Sequence, residues 1–288
     1  RILTLKYGYS VKNYLGIDRA VISVGRVMTC VQGMVVRRER EIREFVKTPF
    51  YRVLLKAFYE EDMENSIIEA EWKAVEGSKY FASPYLYKEN GFKEEKDAQE
   101  LIDKLKDSKA VVDSIDKSVS RKKAPLLFNL AELQNECSKL FKISPDETLK
   151  VVQDLYEKKL VTYPRTDARV LSTAVAKEIH KNLNGLRNLP VVAPFVSEIA
   201  SNGTYKNLAK TRYVNDKQIT DHYAIIPTGQ GFENYDKLTT LTKAVYHTIV
   251  KRFLSIFFPA AEFMRLSVTV DISGQKFYSN AKICVNQG

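Results

Sequence analysis

Leu160-Val161-Thr162-Tyr163-Pro164-Arg165-Thr166-Asp167 follows directly on a helical pattern and sets a tyrosine beside a proline, an arginine and an acid. The helix before it announces its own start. Ser144-Pro145-Asp146-Glu147 places serine at the N-cap, proline at the first helical position and glutamate three residues after the cap, so that hydroxyl and carboxylate can satisfy two orphan backbone donors. The spacing of Leu149, Val152 and Leu155 carries that helix to about Lys159 and delivers the chain into the tyrosine segment. Pro164 biases the residues before it toward extended backbone, where positions two apart share a side. Tyr163 and Arg165 are therefore expected on one side of the chain.

That pair has a chemical meaning. A free phenol titrates near pH ~10 and is a weak nucleophile until its proton is managed. Its long rigid ring nevertheless presents oxygen well to a phosphate, and a phosphotyrosine conserves the bond energy of a phosphodiester. A guanidinium two residues on could hold the phosphate and the charge that develops on it. Asp167 could orient Arg165. The residues alone leave a second reading open, a packed tyrosine beside a surface arginine.

Composition narrows the partners. The 288 residues exceed a usual single domain, so two or three domains are expected. With 44% hydrophobic and 11% aromatic residues the chain reads as globular. The net charge of +10 favours polyanionic partners, above all nucleic acid, or else belongs to a merely basic protein. No apolar run is long enough for a transmembrane helix, and no membrane partner is expected. Cys30, Cys137 and Cys284 are odd in number and far apart, which fits neither a disulfide framework nor zinc spacing and favours a reduced compartment. The chain starts at Arg1 in structured-looking sequence and stops at Gly288 after a strand-like run, so it reads as part of a longer protein.

Before the tyrosine segment the pattern changes twice. Residues 1–24 carry scattered basic and aromatic groups without a clear period. Val31, Met34, Val35, Arg38, Ile42 and Phe45 then recur at helical spacing, and that helix should begin near Gly25–Thr29 and stop before Thr48-Pro49. From Tyr51 the period is two, over 51–59 and again over 68–74, which predicts half-buried antiparallel strands. A short helix is expected over 96–106 and a strand over 110–119. Ser120-Arg121-Lys122-Lys123-Ala124-Pro125 reads as a basic linker. Helices follow over 131–141 and, capped by Ser172, through Leu183, then near 195–199 and over 238–258. Leu266, Val268, Val270 and Ile272 alternate into a Ser273-Gly274 turn and a second strand, a hairpin. The simplest α+β organisation inserts a helical block, about 121–258, into a β domain made from 49–120 and 259–288.

The tyrosine segment with its Leu155-Tyr156-Glu157 lead-in resembles the active-site stretch of type IA DNA topoisomerases, most closely the bacterial topoisomerase III branch. Three more stretches resemble that family in the same order. They are Ser23-Val24-Gly25-Arg26-Val27-Met28-Thr29, then Ala124-Pro125-Leu126-Leu127-Phe128-Asn129-Leu130 with Leu133-Gln134, and Asp221-His222-Tyr223-Ala224-Ile225-Ile226-Pro227-Thr228. The resemblance implies an enzyme that cuts one DNA strand, holds its 5′ end on tyrosine, passes another strand and reseals without ATP. It implies a multidomain toroid in which 1–48 belongs to a single-strand-binding groove domain, 49–120 with 259–288 to a β arch, and 121–258 to the helical tyrosine domain.

Carried over residue by residue, Tyr163 is the nucleophile, Arg165 binds phosphate and His222 contacts or polarises phosphate near the site. Arg26, Thr29, Thr166 and Asp167 are expected to contact DNA, chiefly single-stranded. Met28 stands where the family usually has glutamine, Cys30 where it often has proline, and Ala168 where serine is frequent, which puts the glutamine's contact in doubt. The family also uses magnesium on an acid-rich domain that is not found in this sequence and is expected upstream of Arg1, so no metal ligand is assigned. A monomer in the bacterial cytoplasm, on nucleoid or plasmid, completes the expectation. The alternative is a non-catalytic DNA-binding module of the same descent. A tyrosine recombinase would need a different Arg/His constellation.

Overall fold

The structure, a computed structural model, describes residues 2–18, 26–58 and 67–288. The chain divides into two compact units, Arg1–Leu55 with Glu71–Lys109 and Ile272–Lys276, and Lys56–Ala70 with Ala110–Asp271 and Phe277–Gly288. It is an α+β chain.

The first unit opens with α1 (Ile2–Leu15), a helix that sequence periodicity did not announce. Its only buried residue is Gly8. Helix α2 (Arg26–Arg43) starts where expected and, as expected, stops before Thr48-Pro49. Its predicted apolar stripe is not a core face among the described residues, because Val31, Met34, Val35 and Ile42 are each more than half exposed. Strand β1 (Leu54–Phe58) is shorter than the period suggested, and Tyr59 lies outside the described residues. Tyr51 instead pairs singly with Phe92. Strand β2 (Ile67–Lys73) buries Ala70 and Trp72.

Trp72 centres this unit's core. It stacks on Phe92 at 4.9 Å, and Tyr80 meets both rings edge to face at 5.6 and 5.3 Å. Its indole N–H donates to Gln275 Oε1 at 3.0 Å, so the buried polar atom is satisfied. Strands β3 (Leu86–Lys88) and β4 (Gly91–Phe92) pair antiparallel, and α3 (Glu95–Leu105) lies one residue from its expected start.

Strand β5 (Ala110–Lys122) corrects the linker reading for residues 120–122, while 123–125 are irregular. The strand continues through Arg121 and Lys122 because the Arg121 guanidinium pairs with Glu262 at 2.7 Å and Ser120 Oγ donates to Phe263 O at 3.4 Å. Charged residues suit it, since it is the edge of a five-stranded sheet ordered β1-β2-β7-β6-β5. Strands β6 (Ala261–Ile272) and β7 (Gln275–Asn286) form the expected hairpin. Both turn residues, Ser273 and Gly274, have positive φ, 51° and 78°, the demand of a two-residue turn that follows strand twist.

The second unit holds the remaining helices. These are α4 (Leu130–Phe141), α5 (Pro145–Glu157), α6 (Thr173–Leu186), α7 (Ala193–Asn202) and α8 (Thr240–Ser255). Helix α5 packs on α4 and α8, and α6 on α7. One apolar core runs through them from Leu127 and Leu133 to Ile249 and Phe253. The chain between the helices threads this core, so Leu160, Val161, Leu171, Ala224 and Ile226 are almost fully buried.

Candidate active site

Helix α5 is fixed at both ends. Ser144 Oγ accepts from Glu147 N at 3.2 Å while Glu147 Oε2 accepts from Ser144 N at 2.8 Å, the predicted reciprocal cap. At the other end Lys159 takes a left-handed conformation, φ 61°, and Leu160 N donates back to Leu155 O at 2.9 Å. Gly231 lies against this turn so closely that a Cβ there would stand 2.2 Å from Lys158 O.

The chain leaving α5 is stitched to residues 224–228. Val161 bridges Pro227, and Thr162 N donates to Ile226 O at 3.0 Å. The Thr162 hydroxyl adds two bonds, donating to Ala224 O at 3.1 Å and accepting from Ile226 N at 3.0 Å. Thr228 N donates to Leu160 O at 3.0 Å. Across the same segment Ile225 N donates to Phe128 O at 2.8 Å and Ala224 N to Val170 O at 3.0 Å. Three stretches far apart in sequence, around 124–134, 160–170 and 221–229, therefore converge.

Their convergence places Tyr163 against His222. The two rings lie 4.2 Å apart at 38°, and the Tyr156 ring meets Tyr163 edge to face at 5.5 Å and 82°. Tyr163 is half-buried and His222 exposed, so the pair is open to a large ligand. In the same motif, burial pushes the Tyr223 phenol up.

Beyond Tyr163 the chain bends, since Thr166 N donates to Pro164 O at 3.1 Å. The segment is thus not extended through Arg165 as Pro164 had suggested. Arg165 is exposed and has no carboxylate partner among the described residues. Asp167 is also exposed and does not pair with Arg165, so the expected orienting contact is missing. Its backbone oxygen accepts from Asn129 Nδ2 at 3.0 Å, and Asn129 also caps α4 through its bond from Glu132 N at 2.9 Å.

Thr166 differs from its expected role as a DNA contact. It is 6% exposed, and its hydroxyl donates to His222 O at 3.0 Å while accepting from Ala168 N at 3.1 Å. It fixes the backbone of His222. Thr29 is exposed on α2 in the other unit. Residues 19–25 and the Arg26 side chain lie outside the described residues.

Sequence reasoning did not single out Tyr156 or Thr162. Tyr156 carried a signal, a position in the last turn of α5 just ahead of Tyr163. Thr162 carried none, because its partners lie 62 and 64 residues away. Among the described residues no three His, Cys, Asp or Glu side chains gather as a metal site would require. These residues do not fit the expected magnesium.

Comparison with known proteins follows the same lines. A family model described as DNA topoisomerase matches residues 1–288. The chain is similar to DNA topoisomerase 3 of Bacillus subtilis (strain 168), 33% identical over 270 residues that cover 93% of this chain and 34% of that protein. It is 34% identical over 272 residues to DNA topoisomerase 3 of Shouchella clausii (strain KSM-K16), again 93% of this chain and 34% of the relative. The chain thus spans about a third of the length of these curated relatives. In fold it resembles full-length topoisomerase I from Thermotoga maritima, with TM-score 0.61 and 23% identity, over 100% of this chain and 43% of that one.

Proposed function

Because the chain belongs to the DNA topoisomerase family, we propose that it carries the tyrosine side of a type IA active site. The Tyr163 oxygen attacks a phosphodiester of single-stranded DNA. A bond forms between that oxygen and phosphorus, the bond to the 3′ oxygen breaks, and the leaving oxygen takes a proton while the phenol gives one up. The DNA 5′ phosphate stays on Tyr163. After a strand passes, the 3′ hydroxyl attacks the phosphotyrosine, the phenol leaves and the strand is whole again without ATP.

Each neighbour has a task. Arg165, exposed and without a carboxylate partner among the described residues, binds the phosphate and offsets the charge that grows on its oxygens. His222 touches the Tyr163 ring and contacts the phosphate beside it. Thr166 acts through His222, whose backbone it holds. Asp167, Thr29 and Arg26 belong to the path of the DNA strand. The domain reading of groove, β arch and helical tyrosine domain is carried over with this function, as is the toroid they form in the longer protein. Any magnesium that the complete enzyme uses is held by residues other than those described. Residues 1–288 alone bind single strands with steep salt dependence but do not relax supercoiled DNA.

The observation that carries this reading is the contact between Tyr163 and His222, made by two motif stretches almost sixty residues apart and open to a ligand. The test is a denaturing gel of the full-length protein quenched with a single-stranded oligonucleotide. A covalent protein–DNA band is expected from wild type and none from Tyr163→Phe. A band of wild-type strength from Tyr163→Phe overturns the assignment.

A further inference from the structure

Tyr156 is the aromatic neighbour of Tyr163 to which the reaction above gives no task. It is 39% exposed, so packing gives it only part of a core tyrosine's contribution to stability. Its position is nevertheless closely determined. It sits in the last turn of α5, which Lys159, the bond from Leu160 N to Leu155 O and the approach of Gly231 to Lys158 O hold in place.

The backbone at Tyr163 is fixed too, through Val161, Thr162 and the turn from Pro164 to Thr166. What stays free is the swing of the Tyr163 side chain about its own torsions, which carries the phenol oxygen over several ångströms. A nucleophile displaced by about 1 Å loses much of the advantage of in-line approach. Two rings restrict that swing, His222 at 4.2 Å and 38°, and Tyr156 at 5.5 Å and 82°. Edge-to-face geometry between aromatic rings is attractive and directional, unlike the contact an aliphatic side chain offers.

Resting on Tyr163 as the nucleophile, we propose that Tyr156 is a positioning residue whose ring holds the Tyr163 ring in its attacking orientation. The ring matters here and the Tyr156 hydroxyl does not.

The full-length protein carrying Tyr156→Phe, Tyr156→Leu or Tyr156→Ala provides the test. Three quantities are read: the single-turnover rate of covalent joining at saturating oligonucleotide, the dissociation constant for that oligonucleotide, and the ring resonances of 13C-labelled Tyr163. Tyr156→Phe is expected to keep the rate within about twofold. Tyr156→Leu and Tyr156→Ala are expected to slow joining about tenfold with the dissociation constant changed less than about twofold, and to shift the Tyr163 resonances. Leucine supplies apolar bulk, so the Leu variant guards against loss through misfolding.

The proposal is overturned if Leu restores the wild-type rate, if the Phe variant is as slow as Ala, or if the loss falls wholly on the dissociation constant. An adduct abolished by Tyr163→Phe beside a wild-type rate in Tyr156→Ala fails the positioning role alone. An adduct that persists in Tyr163→Phe fails the nucleophile and the positioning role together.

Discussion

Thr162→Val tests how the tyrosine segment is held. The substitution keeps the branched shape and removes only the hydroxyl. That hydroxyl serves Ala224 O and Ile226 N at 3.1 and 3.0 Å, and both residues are 0% exposed. Valine leaves one buried acceptor and one buried donor without these partners, at about 1–3 kcal/mol each. Thr162 itself is only half-buried, so water can reach part of the gap, and a net loss of ~2–4 kcal/mol is expected. In a unit of this size that lowers the melting temperature by about 5–15 °C. Thr162→Ser keeps both bonds and removes one methyl, at about 1 kcal/mol. Urea titrations followed by circular dichroism measure both variants against wild type. A Val variant within about 0.5 kcal/mol of wild type, or a Ser variant as damaged as Val, would refute the hydroxyl clamp.

Gly185→Ala probes the contact between α6 and the segment that follows His222. A Cβ at 185 would lie 1.9 Å from Gly229 O, which is backbone, so about 1–3 kcal/mol or more is lost despite the ~1 kcal/mol helix preference for alanine; a stabilised variant in thermal melts removes that contact from the account. Cys137 is 0% exposed, and burial pushes its thiol up to about 11, so maleimide should label Cys30 and Cys284 in the native protein and reach Cys137 only on unfolding, as peptide mass mapping will show. Burial first, and then the Lys243 charge, hold the His247 imidazole below its usual range, beside the Tyr235 hydroxyl at 2.6 Å. The native state then binds fewer protons than the unfolded chain, so stability is present above the unfolded value of about 6.5 and falls as pH drops below it; denaturation at several pH values should show a shallower acid dependence in His247→Gln.

Local chemistry was legible in the sequence. The cap at Ser144 and Glu147, the end of α5, the Ser172 cap and the Ser273-Gly274 turn depend on residues within a few positions of one another, and each forms as expected. Nonlocal partners were not legible. Arg121 and Lys122 look like linker until Glu262 pairs with Arg121. Thr166 looks like a ligand contact until His222, 56 residues on, takes its hydroxyl. Periodicity also reports an apolar stripe without reporting what covers it. Helix α2 shows this, with a correct period and an exposed face. The candidate site was half-readable for the same reason. Motif order pointed to Tyr163 and His222, but their ring contact and the role of Thr162 exist only once the 221–229 stretch has been threaded beside 160–170.

In the proposed mechanism Tyr163 takes the 5′ end of a broken DNA strand. One oligonucleotide, labelled in separate preparations at its 5′ or its 3′ end, tests this directly with the full-length protein under denaturing quench. The 3′ label is expected to migrate with the protein, the 5′ label to be released on a fragment ending in a 3′ hydroxyl, and the mass of the DNA-bearing peptide to place the nucleotide on Tyr163. Retention of the 5′ label, or a nucleotide on any other residue, would contradict it.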